Sequence, residues 1–181
     1  MAYASIGQAA ELMAQESASL LRGHPKLASM GSLAYISGQG PAKPVTLAAL
    51  PSGSVTLAPG QARLTIFFAT WVQQTSDLKQ ELTGLNQYVT DARRQHLPDL
   101  VSVDEESTEP SLATVRSYLA GLGQRLDYPV ALDPSGRVAD GYKVQDQPWF
   151  VLTSASGQIL WSHDGWLPVS KLIAAEHKAG V

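Results

Sequence analysis

The chain of 181 residues contains no cysteine. That absence excludes disulfides, thiolate metal sites and every cysteine nucleophile, and it leaves three Met residues as the only sulfur. It carries no information about compartment, because a chain without thiols is indifferent to an oxidising or a reducing milieu. Charge of one sign is scarce as well: 13 Lys and Arg face 16 Asp and Glu, a net charge of −3, and no dense basic run occurs. The electrostatic footprint of a nucleic-acid binder or of a protein held on acidic lipid is therefore missing. No apolar run reaches the roughly 18 residues that a membrane span requires, and no basic start precedes an apolar stretch and a small-residue cleavage site. The expectation is a soluble chain whose Met-Ala start fits a fragment as well as a native terminus.

Catalytic motifs are equally sparse. Gly-x-Ser-x-Gly is absent, and Gly38-Gln39-Gly40 lacks the third glycine and the helix of a dinucleotide loop. His24, His96, His163 and His177 form no ligand-spaced pair, so they read as structural or solvated, with His163-Asp164 a turn and no metal or cofactor expected. Asp133 and Asp140 suit an N-cap or turn better than an acid-base pair. Asp104-Glu105-Glu106 and Glu109 read as a solvated loop and helix start, where acids favour the dipole, in preference to a cation site.

What is present is a regular alternation of patterns. At 44% apolar and 16% charged, the chain can bury a sizeable core. Residues 4–22 space Ile6, Ala10, Met13 and Ser17 on one face, an amphipathic helix ended by Gly23-His24-Pro25. Gly38 to Pro44 reads as a connector, which divides the chain into an N-terminal appendage, 1–40, and a main domain, 41–181. Val45-Thr46-Leu47 and Ser54-Val55-Thr56-Leu57 flank a Pro51-Ser52-Gly53 turn as a hairpin. Leu64-Thr65-Ile66-Phe67-Phe68 suits a strand buried on both faces. Leu78, Leu82, Leu85, Val89 and Ala92 recur at helical spacing; then follow strand 100–103, a helix through Leu112, Val115 and Leu119, strand 129–132 and a short turn near Val138. Strands and helices alternating in this way indicate βαβ units. The end reads as a hairpin, Trp149 to Leu152 and Ile159 to Trp161, with a helix from about Pro168 to Lys178.

Trp71-Val72-Gln73-Gln74-Thr75 follows the buried strand directly, and three landmarks in order carry a resemblance: Leu64 to Trp71; Val130-Ala131-Leu132-Asp133 with Gly136 to Ala139 and Tyr142-Lys143-Val144; and Gln147-Pro148-Trp149-Phe150-Val151-Leu152 before Gly157-Gln158-Ile159. Over roughly residues 45–178 this resembles the thioredoxin superfamily, and within it the TlpA/ResA-type thiol-disulfide oxidoreductases. The resemblance implies a three-layer α/β/α fold with a mixed central sheet, here with the N-terminal helical appendage and the β-hairpin. It also implies that Val72 and Thr75 stand where the family carries its two cysteines, with Val72 at a helix N-terminus, and that Ile66 replaces a buried acid. Pro148 matches the family's cis-proline.

Thiolate attack on sulfur is impossible from Val72 or Thr75. The leading expectation is therefore a protein- or peptide-binding or assembly module, with no catalytic residue and no cofactor, whose groove is lined by Trp71, Val72, Thr75, Gln147, Pro148 and Trp149. Trp149 is left open between groove and core. Two alternatives accompany this reading: a member of an oxidoreductase or antioxidant family that is inactive in this chain, and a structural domain of a larger protein. Cysteines engineered away would ordinarily leave Ser or Ala. If the family's habit holds, the compartment is extracytoplasmic; otherwise it is cytoplasmic.

Overall fold

The computed structural model of the protein describes residues 38–39 and 44–181. The helix expected over residues 4–22 and the boundary near residue 40 lie outside the described residues. Among the described residues eight strands form one sheet: β1 Gly38–Gln39, β2 Val45–Leu50, β3 Ser54–Leu57, β4 Arg63–Phe68, β5 Asp99–Asp104, β6 Val130–Leu132, β7 Trp149–Thr153 and β8 Gln158–Asp164, in the order β1-β8-β7-β4-β5-β6-β2-β3. Helices α1 Leu78–Gln95, α2 Leu112–Ala120, α3 Arg137–Gly141 and α4 Val169–Ala179 connect or follow them.

β4 is the centre of the sheet, parallel to β5 and antiparallel to β7. Its residues alternate between the faces, as a strand's two-residue period requires. Leu64 and Ile66 pack with Leu85, Tyr88 and Leu172 from α1 and α4, and Phe68 packs with Leu78 and Leu82. Phe67 turns to the other face, against Val101, Val103 and Trp149, where α3 contributes Val138 and Ala139. Each such buried aliphatic or aromatic side chain contributes about 1.5–3 kcal/mol, and this two-sided burial explains why the strand's sequence is a continuous apolar run.

α1 forms because its apolar residues recur at helical spacing and Asp77 caps its start, accepting from the Gln80 amide at 3.2 Å. It ends at His96, which is left-handed with φ 58°, after Arg93 and Arg94 complement the dipole in the last turn. α1 and α4 are joined in the core by a polar contact. The Tyr88 hydroxyl lies 2.7 Å from the Pro98 carbonyl oxygen and 2.6 Å from Glu176 Oε1. One hydroxyl hydrogen serves one acceptor well, so both contacts are full hydrogen bonds only when Glu176 carries a proton. Burial pushes the Glu176 carboxyl up to about 7, which favours that proton.

Two expectations are corrected here. Gly38 and Gln39, read as connector, pair antiparallel with Ile159 and Gln158; two residues are too few to show a period. His163-Asp164, read as a turn, closes β8 opposite Phe150 and Trp149, and the His163 ring stacks on Trp161 at 5.8 Å.

Candidate functional site

β4 delivers the chain to a five-residue 3-10 turn, Thr70–Gln74, which buries Thr70 and Val72 and leaves Trp71 39% exposed. Trp71 is the exposed large apolar side chain among the described residues. The turn closes on one carbonyl: Val72 O accepts the amides of Thr75 and Ser76 at 2.9 and 3.1 Å and the Thr75 hydroxyl at 3.1 Å. The long helix therefore begins only at Leu78. This corrects the expectation that Val72 stands at a helix N-terminus, because Asp77 caps the helix instead and the intervening residues are consumed by the turn.

The loop leaving β5 binds this turn tightly. Thr70 donates to Glu109 twice, through its amide to Oε1 and through its hydroxyl to Oε2 at 2.6 Å. Trp71 Nε1 donates to Thr108 Oγ1 at 3.2 Å. The same loop reaches across to the segment before β7, where Gln147 Nε2 donates to Glu105 Oε2, and the Glu105 amide donates to the Phe68 carbonyl at 3.0 Å. Residues 105–109 thus clamp Trp71 on one side and Gln147 on the other. The sequence reading of these acids as solvated is corrected, since two of them hold the site together.

Asp104 departs furthest from that reading. It is fully buried, and neither carboxyl oxygen receives a hydrogen bond. Burial, then the neighbouring acids led by Glu109, push its carboxyl up to about 8, so it is neutral at pH 7. A signal was present in the sequence: the two-residue period of β5 places Asp104 on the same face as Leu100 and Ser102. Burial also raises Glu105, although its bond from Gln147 opposes this.

Gln147 is half-buried; its amide donates to Asp146 Oδ1 at 2.7 Å, and its side-chain oxygen is buried without a donor among the described residues. Pro148 is buried and the Gln147–Pro148 bond is cis. Trp149 packs in the core opposite Phe67 at 4% exposure, so its ring does not line the groove. Val72, 2% exposed, is likewise a core side chain. Of the six residues expected to line the groove, Trp71, Thr75 and Gln147 offer surface. Asp133 takes the role expected of it, its Oδ2 accepting the amides of Val138 and Ala139 at 2.8 and 3.0 Å at the start of α3. Among the described residues no three His, Asp or Glu side chains gather as metal ligands, and no helix is long and apolar enough to cross a membrane.

The central β4 between parallel β5 and antiparallel β7, helices on both faces and a cis-proline entering β7 beside the Trp71 turn describe one architecture. It is shared with many solved structures. The exposed lipoprotein thioredoxin Etrx1 of Streptococcus pneumoniae superposes with a TM-score of 0.65 at 18% identity, over 75% of this chain and 99% of that one. The chain has a thioredoxin-like fold. StoA from Bacillus subtilis gives 0.61 at 21% identity over 75% of this thioredoxin-like chain and 98% of its own. The thioredoxin domain of a Bacteroides vulgatus thiol-disulfide oxidoreductase gives 0.59 at 14%, over 78% and 97%. No protein-family model and no curated protein sequence matches the chain. In this thioredoxin-like domain neither Val72 nor Thr75 supplies a sulfur, so thiol-disulfide exchange has no attacking atom.

Proposed function

We propose that this thioredoxin-like domain is a protein- or peptide-binding or assembly module that works without thiol chemistry, using the surface formed by Trp71, Thr75 and Gln147. The observation that carries the reading is the exposed Trp71 indole, fixed through Nε1 by Thr108, on the same clamp that holds Gln147. An exposed aromatic with its polar edge satisfied gives large contact area at low entropic cost, as binding hot spots do. The Gln147 backbone carbonyl, just before the cis bond to Pro148, is the acceptor offered to an extended backbone.

The test is backbone amide NMR during titration with an unfolded, cysteine-free polypeptide. Perturbations gathered at residues 71–75, 105–109 and 145–148 support the module. Perturbations gathered elsewhere, or none at millimolar peptide, contradict it.

A further inference from the structure

A second concave surface lies at the other end of the sheet, where β5 and β6 begin, away from Trp71 at the strands' C-terminal end. It is a groove of about 1130 Å³ between the β2–β3 turn and the α1–α2 side of the molecule. Three guanidinium-bearing side chains line it: Arg93 from the last turn of α1, Arg116 from α2 and Arg125 from the loop before β6. Leu119, Leu126, Tyr128 and Val130 give it an apolar floor.

We propose that this groove binds a small organic molecule carrying two or more carboxylate or phosphate groups, with Arg93, Arg116 and Arg125 as its anion-binding residues. Among the described residues none of the three is ion-paired, and the ion pair present is Arg94 with Asp91, at 4.0 Å. Shortage of partners is not the reason, since the chain has 16 acids to 13 bases. One acid, Asp127, lines the groove against three arginines. A concavity with an excess of one sign of charge focuses the field and attracts counter-ions, and the planar guanidinium fork matches carboxylate or phosphate oxygens two at a time.

The backbone that presents Arg125 is held in place. Asn86 donates through Nδ2 to the Arg125 carbonyl at 2.9 Å and accepts the Asp127 amide at 2.8 Å through Oδ1. The Tyr128 hydroxyl donates to the Leu82 carbonyl at 2.7 Å in the core. The groove's wall is thus fixed to α1 before any ligand arrives, which lowers the ordering cost of binding. The apolar floor selects an anion with a carbon skeleton over an inorganic ion alone.

Calorimetric titration of the full chain with citrate and with pyrophosphate, at constant ionic strength, tests this, with acetate as the singly charged comparison. The expected result is saturable one-to-one binding of citrate, weaker binding of pyrophosphate and none of acetate. Arg116→Gln and Arg125→Gln each weaken citrate binding about tenfold or more, the loss of one charge-assisted contact. Arg94→Gln, outside the groove, leaves it unchanged. Absence of saturable binding by either polyanion overturns the proposal, as does an equal loss in Arg94→Gln, which would signify diffuse attraction to surface charge.

Discussion

The Thr70 hydroxyl donates to the Glu109 carboxylate at 2.6 Å, and this contact ties the turn carrying Trp71 to the loop leaving β5. Thr70 is 1% exposed, so its amide and hydroxyl have no water to turn to if the carboxylate is removed. Glu109→Ala is expected to destabilise the fold by about 1–3 kcal/mol, the cost of stranding buried donors. Glu109→Gln, which keeps an acceptor oxygen, costs less. Urea denaturation measures both, and acrylamide quenching referenced to a Trp71→Phe variant reports a looser Trp71 in Glu109→Ala.

Stability is expected to fall from mildly acid to alkaline pH. Asp104 and Glu176 hold their protons in the folded state up to about pH 8 and 7, against ordinary values of 3.8 and 4.5. The folded protein therefore binds more protons than the unfolded chain across this window. The stabilising contribution is complete below about pH 4 and is lost as pH rises toward 8. Glu176 alone, 1% exposed, accounts for a change on the order of 3 kcal/mol. Urea midpoints at pH 5.5 and 8.5 test this: the wild type is less stable at 8.5, and Glu176→Gln shrinks the difference. An equal difference in that variant would remove Glu176 from the explanation.

Restoring two cysteines is not expected to restore an oxidoreductase. Val72 is buried in a 3-10 turn and the helix dipole begins later, at Leu78, so a thiol introduced by Val72→Cys gains burial without the acidifying helix end. In Val72→Cys/Thr75→Cys, the pH dependence of iodoacetamide alkylation is expected to give a thiol at or above the ordinary value of about 8.5. A thiol titrating below 7 would mean that the site keeps the electrostatics of an active thiol enzyme.

Much of the architecture was legible because it rests on repetition. The continuous run Leu64 to Phe68 and the spacing of Leu78, Leu82 and Leu85 each encode a face to be buried, and these elements stand where the pattern puts them. The site was legible only in outline. That Trp71 follows β4 and Pro148 precedes the neighbouring β7 was readable from their order along the chain, but the 105–109 clamp depends on single side chains reaching across 37 to 42 residues of sequence, which no local period records. The late start of α1 comes from the turn closing on Val72 followed by the Asp77 cap, two local contacts that the apolar spacing of the helix does not record. Arg93, Arg116 and Arg125 lie on three separate elements, and only the fold shows that they share a groove.

The central claim is that binding through Trp71 persists without thiols, and affinity capture tests it most directly. Wild type, Trp71→Ala and Arg94→Ala, each confirmed folded, are used as baits in native extract, and the retained proteins are quantified by mass spectrometry. The account predicts a partner retained by wild type and Arg94→Ala and lost by Trp71→Ala, under reducing and oxidising conditions alike. Equal profiles for all three baits, or retention that depends on the redox condition, would contradict it.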